Sequence, residues 1–317
     1  LRRRIRVALG LWPWPRKTPL NAVIHGRIDR GEYTVEKVFF ESLPGHFVTG
    51  NLYRPVGGDG MKKPAVLCPH GHWPAGRFHD HGSEAVRREI ASGAERFEVA
   101  GRYPLQARCV QLARMGCVVF HYDMEGYADS VQLPHRPWPR EAMSTETDWG
   151  LCSPQAELRL QNLMGVQAWN SVRALDFVEA LPDVDRTRIG VTGASGGGTQ
   201  TFILCAIDER PAAAFPAVMV STGMQGGCVC ENAPYLRIGM GNIDIAGLCV
   251  PRPLGMTAAD DWTKEIEAKG LPELKRLYAL FGVEDLVSAT PLLHFPHNYN
   301  AVSRSVMYGF FNRHLGL

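Results

Sequence analysis

The sequence predicts an α/β fold: a mostly parallel sheet with helices on both faces and an N-terminal antiparallel hairpin. Three observations carry that expectation. Short continuous apolar runs such as "PAVLCPHG", "CVVFHYD" and "RIGVTGA" have the composition of strands buried on both faces. Runs with apolar residues three and four apart lie between them, as crossover helices would. Near the start, "YTVEKVFFES" and "FVTGNLYRP" alternate polar and apolar residues on either side of "LPGH", which reads as a hairpin.

After the hairpin, "PAVLCPHG" is a buried strand ending in a turn, and "ARCVQLARMG" is a helix stopped by Gly116. "CVVFHYD" follows as the next strand. Residues 164–181, "MGVQAWNSVRALDFVEAL", keep helical spacing up to "PDVD". Then come the strand "RIGVTGA", the helix "GGTQTFILCAI" and the strands "AAAFPAVMVS" and "PRPLGMTAA". The helix "LPELKRLYALFG", a strand "LVSATPLLHF" weakened by Pro291, and the amphipathic helix "NAVSRSVMYGFFNRHL" close the chain. No repeat, low-complexity tract or long polar linker interrupts this series, so residues 1–317 read as one domain. Residues 1–30 form an N-terminal extension, and 76–104 and 131–160 are rim or lid segments.

Composition is ordinary for a globular protein, 45% hydrophobic and 21% charged, and a net charge of +2 makes no case for nucleic acid. The basic cluster "LRRRIR" reads as a solvated tail rather than a phosphate or membrane contact. The chain opens on Leu, so a preceding segment is expected to have been removed or left out, and whether it included a signal peptide is left open. No apolar run approaches the roughly 18 residues that span a bilayer. Eight cysteines are too sparse for a disulfide scaffold. Cys68, Cys109, Cys117 and Cys205 sit in apolar runs and read as small core side chains. The C-x-C pair Cys228 and Cys230, and the histidines His70, His72, His79 and His81, are weak zinc signals. Neither metal nor cofactor is expected.

In parallel sheets ligands bind beyond the carboxyl ends of the strands. Those ends here are "HGHWPAGR", "DMEGYADS", "GASGGG", "TGMQGGCVCENAP", "DDWT" and "PHNYN", where polar residues and glycines cluster. Gly193-Ala194-Ser195-Gly196-Gly197 fits G-x-S-x-G between strand and helix, the context of a nucleophile elbow. A phosphate loop is the rival, but no G-x-G-x-x-G follows the strand and no Walker lysine is present. An activated serine needs a histidine base and an acid that orients it, in the chain order Ser, acid, His. Of the later histidines, His314 lies in the terminal helix and His294 in the last expected strand. His297 follows that strand in a loop and is the candidate base. Asp261, just beyond a strand, is the candidate acid, with Asp260 a turn or cap residue; Glu231 and Asp285 occupy other plausible loop positions. Oxyanion donors would be the amides of Gly196 and of His72 or Trp73.

These strand-end pieces together, "PHGHWPAGR", "YDMEGYADS", "VTGASGGGTQTF", "CENAPYLR" and "PHNYN", resemble the acetyl xylan esterase-like branch of the α/β-hydrolases, kin to the dienelactone hydrolases. The resemblance runs from about residue 20 to the C-terminus. It implies the α/β-hydrolase fold and a Ser-His-Asp carboxylester hydrolase, often acting on acylated plant polysaccharide, with Ser195, His297 and Asp261 in those roles. It favours a secreted or periplasmic location and leaves a cytoplasmic one open. The expected partner is a small ester or acylated carbohydrate; oligomeric state is not indicated. Trp149 and Trp262 are candidate sugar-stacking residues, as are Trp73, Trp138 and Tyr127, against their ordinary role as core or lid. Arg77 and Arg237 would meet a substrate carboxylate unless they serve in structural ion pairs, and Glu231 is a further substrate-site candidate. A glucuronoyl methylesterase would use the same triad. A peptidase of the oligopeptidase type would need an added propeller, and a silent carbohydrate-binding protein would not need the intact triad.

Overall fold

The computed structural model describes residues 1–58, 60–73, 75–135 and 154–317. Its centre is one sheet built from β1 (Val23–Asp29), β2 (Tyr33–Leu43), β3 (His46–Pro55), β4 (Lys63–Leu67), β5 (Val118–Tyr122), β6 (Val184–Ala194), β7 (Ala213–Ala217), β8 (Leu254–Ala258) and β9 (Val287–Pro291). Their order is β1-β2-β3-β5-β4-β6-β7-β8-β9. The pairs from β1 to β3, and β3 with β5, are antiparallel. Every pair from β5 across to β9 is parallel. The chain runs from β4 outward to β5, then returns to the other side of β4 as β6. That reversal opens a crevice beyond the carboxyl ends of β4 and β6, where a doubly wound sheet binds its ligand.

The helices are α1 (Arg2–Ala8), α2 (Ser83–Ala91), α3 (Glu98–Arg102), α4 (Pro104–Arg114), α5 (Pro154–Leu158), α6 (Leu163–Ala180), α7 (Gly196–Ile207), α8 (Asn242–Gly247), α9 (Leu271–Ala279) and α10 (Ala301–Leu315). One side of the sheet carries a core in which α1, α6, α7, α8 and α9 pack on the strands, and the other carries α4 and α10. Both faces are therefore covered, which is why β4 to β8 read as continuous apolar runs rather than alternating ones. α6 starts where the Asn162 side chain accepts from the Gly165 amide at 2.8 Å. Its Trp169 donates from Nε1 to the Ser42 carbonyl at 2.8 Å, tying the helix to β2. No helix among the described residues is long and apolar enough to cross a membrane.

Three sequence expectations need correction. β1 was not foreseen; all its residues are exposed, so no buried face imposes a period on its sequence. The last strand ends at Pro291, not in "LLHF", and Pro291 is tolerated because β9 is an edge strand. The opening basic cluster is not a solvated tail. It forms α1, whose Ile5 and Ala8 are buried, while Leu9 and Leu11 beyond it join the same core. Arg2 Nε donates to the Ala206 carbonyl at 2.8 Å, Arg6 to that of Ile207, and Arg4 to that of Ile238 at 2.6 Å. Ala206 and Ile207 are the last residues of α7, whose free carbonyls and negative dipole end favour cations.

The 76–104 segment is folded as α2, α3 and a short 3-10 turn at Gly76–Phe78. It is joined to the start of α10 by a buried pair, Arg304 donating to both Glu95 carboxylate oxygens at 2.8 and 2.9 Å. Asn298 donates to Glu89 at 3.0 Å, and the Ala301 amide to the Ala94 carbonyl at 3.0 Å. The segment thus braces the loop just before α10. Glu95→Gln leaves a buried guanidinium without its counter-charge, and the expected cost is about 3 kcal/mol, read as a lower urea midpoint. An unchanged midpoint would remove this brace from the account of the fold.

Candidate active site

Ser195 caps α7 with φ 57° and ψ −128°, a conformation that a side chain adopts only under strain. Its neighbours explain why the turn is made of glycine. A Cβ at Gly193 would lie 2.4 Å from the Gly197 carbonyl oxygen, and one at Gly197 2.7 Å from that of Pro69. Gly71, in the loop after β4, passes so near that a Cβ there would be 2.9 Å from the Ser195 Cβ. The elbow is therefore wedged between its own helix and the loop after β4. Gly196, the first residue of α7, has an amide that the helix cannot use internally.

Beyond β8, Asp261 accepts at Oδ1 from the Thr263 amide and hydroxyl, at 2.6 and 2.5 Å, and at Oδ2 from His297 Nδ1 at 2.6 Å. Burial would raise this carboxyl, but the hydrogen bonds from His297 and Thr263 outweigh it and hold it below its usual range. Asp260 is exposed and contributes its amide to the Phe295 carbonyl, a turn role. His294 is exposed too, and its ring lies against Phe295. The rings of Trp262 and His297 are 4.5 Å apart, so Trp262 flanks the histidine as well as the rim. Ser195, Asp261 and His297 follow β6, β8 and β9, on one edge of the parallel sheet.

In the loop after β4, the Trp73 amide donates to the Gly71 carbonyl at 2.9 Å, which takes it out of use for an oxyanion. The His72 amide has no such partner among the described residues and remains the candidate beside Gly196. Trp73 itself packs half-buried against the core. Tyr127 is half-buried, its ring 5.6 Å from that of His70. Arg77 is buried, with its guanidinium committed to Asp123 and Asp129, so it serves the structure and not a substrate carboxylate. Arg237 donates to the Glu231 carbonyl at 2.8 Å, while its Nε and Nη1 are buried without a partner among the described residues. Burial lowers that guanidinium to about 10. Glu231 is buried, accepts from the Gly227 amide at 2.7 Å, and reaches toward the elbow: a Cβ on Gly196 would be 3.3 Å from its Oε1. Trp149 and Trp138 lie outside the described residues.

The four histidines weighed for zinc do not assemble. His70 is buried and fully bonded, Nδ1 to the Gly71 carbonyl at 2.8 Å and Nε2 accepting from the Met124 amide at 3.2 Å. Burial pushes it down to about 3, so it is a neutral structural group. His79 and His81 face each other at 3.3 Å elsewhere. His72 instead meets Cys230, and beside them lie Cys228 and His135. His135, in "LPHRP", has no sequence signal that would have singled it out.

Residues 167–222, from α6 through β7 and including the elbow, match the acetyl xylan esterase family. The chain is similar to a solved methylesterase, with 27% identity and a TM-score of 0.75 over 98% of this chain. The chain has the α/β-hydrolase fold. It spans 62% of the length of that methylesterase. The chain also resembles a glucuronoyl esterase from Solibacter usitatus, with 16% identity and a TM-score of 0.63 over 98% of this chain and 92% of that one. An acetyl xylan esterase from Paenibacillus sp. R4 gives 16% identity and a TM-score of 0.59, over 99% and 93% of the two chains. At such identities the last two similarities concern the fold.

Two outcomes follow from this geometry. Ser195→Gly relieves the strained turn, and the variant is expected to be more stable by about 1 kcal/mol in urea unfolding; a less stable variant would mean that the turn is not strained. Asp261, depressed in the folded state, contributes stability above its unfolded value near ~3.9 and loses it as pH falls through the lower folded value. Asp261→Asn should therefore destabilise at neutral pH, with the difference from the parent closing below about pH 4. A difference that does not vary with pH would show that the carboxylate charge is not what matters.

Proposed function

We propose that the protein is a serine carboxylester hydrolase acting on a carbohydrate ester through an acyl-enzyme, with acetyl as the acyl group passed to the serine and the sugar as the leaving group. The observation that carries this reading is the 2.6 Å contact of His297 Nδ1 with Asp261, on the sheet edge that carries the strained Ser195. In this reading His297 accepts the Ser195 hydroxyl proton at Nε2 as Oγ attacks the ester carbonyl. The proton then passes to the leaving sugar oxygen, and the same histidine activates the water that releases acetate. Asp261 keeps the proton on Nδ1 and stabilises the imidazolium. The amides of Gly196 and His72 are the oxyanion donors, and the positive end of α7 favours the charge that develops there. The family match over the elbow region supports the acetyl choice.

A second reading has its own observation. The half-buried Arg237, with Nε and Nη1 unpartnered among the described residues and its remaining nitrogen on the Glu231 carbonyl, is suited to a uronate carboxylate, and the similar solved structure at 27% identity is a methylesterase. Acetate and methanol release from acetylated xylan and from methyl uronates separates the two. We expect acetate from the first substrate, and a loss of about 10⁴-fold or more in Ser195→Ala and about 10⁴-fold in Asp261→Asn. Methanol release alone, abolished by Arg237→Ala, would transfer the assignment to the uronate ester. Equal turnover by the parent and Ser195→Ala would end the serine mechanism altogether.

A further inference from the structure

His72, His135, Cys228 and Cys230 each bring one ligand atom to a point where all four lie within 4.8 Å of one another. They come from three separate rim loops, after β4, after β5 and after β7. His72 Nε2 is 3.0 Å from the Cys230 sulfur, and His135 Nε2 is 3.0 Å from that of Cys228. The second nitrogens are as telling as the first. His135 Nδ1 donates to the Glu125 carbonyl at 3.2 Å, which leaves the Nε2 lone pair facing sulfur. His72 Nδ1 lies 3.9 Å from the Glu231 carboxylate. His135, whose far nitrogen is held by a carbonyl, is oriented as metal-binding imidazoles are, while the His72–Glu231 separation is an electrostatic approach and not a hydrogen bond.

We propose that these four side chains form a Cys₂His₂ site for a thiophilic divalent metal, zinc in the first place. Tetrahedral zinc with bonds of ~2.3 Å to sulfur and ~2.05 Å to nitrogen sets neighbouring sulfur and nitrogen about 3.6 Å apart. The two close pairs need to open by only about half an ångström to reach that spacing. Two thiolates and two neutral imidazoles balance the charge of the ion, so the site as a whole is neutral and its buried cysteines are not left as uncompensated anions. The site also accounts for Gly126: a Cβ there would lie 2.3 Å from the His135 backbone nitrogen, so His135 reaches the cysteines only past a glycine. With four protein ligands, no position is open to substrate, and the metal is structural.

Its consequence is nonetheless at the reaction centre. The His72 ring lies against the elbow, its Cε1 3.1 Å from where a Gly196 Cβ would be. A metal on His72 Nε2 would fix the loop that carries the oxyanion amide to the loops after β5 and β7. The site stands or falls independently of which ester is cleaved.

The test uses the full chain made without a polyhistidine tag. Elemental analysis after exhaustive dialysis is expected to give about one zinc per chain, falling below about a tenth in Cys228→Ser and in His135→Ala, with His79→Ala unchanged. Because a cysteine variant can fail to fold, the parent carries an independent readout. Zinc stripped with phenanthroline and replaced by cobalt should give the thiolate charge-transfer band and the intense visible bands of a tetrahedral sulfur site. Stripping should also lower the melting temperature, and zinc should restore it. A metal-free parent that takes up no cobalt overturns the proposal. A Cys228–Cys230 disulfide in the freshly purified protein, detected by thiol titration and mass, overturns it as well.

Discussion

The turn from β6 into α7 sets the terms for everything around it. Ser195 has a backbone that resists a side chain, and it is kept there because the chain on every side is too close to let it relax. Gly193 abuts the Gly197 carbonyl, Gly197 abuts Pro69, and Gly71 abuts Ser195 itself. None of these contacts is strong. Their effect is exclusion: each leaves no room for a Cβ, so the strain is spread over packed backbone instead of being released in one loop. The loop after β4 is consequently held against the elbow by shape, and a candidate oxyanion amide comes with it.

The hydrogen-bonding around Asp261 and His297 is a different kind of restraint. Thr263 fills one carboxylate oxygen and His297 the other, so the acid has no reason to turn elsewhere. The histidine loop is held from behind by Glu89, Ala94 and Glu95 of a segment some two hundred residues earlier. The rim is thus an assembly of distant pieces, each locked by polar contacts that the flat edge of a sheet could not supply alone.

Much of this was legible in the sequence, because local chemistry encodes it. Hairpin strands β2 and β3 alternate, the central strands do not, and the small residues at 193–198 have few other uses. Asp261 lies a few residues beyond the end of β8 and bonds His297, whereas the exposed Asp260 contributes only its amide to a turn. The rest lacked a local sign. β1 has no buried face. Arg77 looks the same whether it meets substrate or Asp123. His135 and Cys228 are 93 residues apart, and no spacing rule joins them. Arg304 and Glu95 are 209 apart. Such pairs exist only once the sheet has set where each loop emerges.

The arginines of α1 carry a consequence for the order of assembly. Arg2 caps a carbonyl 204 residues downstream, so this segment leaves the ribosome long before its binding surface has been synthesised. Ile5, Leu9 and Leu11 share their core with α6, α7 and α9, so their burial is complete only once those later helices have been made. The carboxyl end of α7, opposite the strained serine, therefore takes its cap from the part of the chain that was made first.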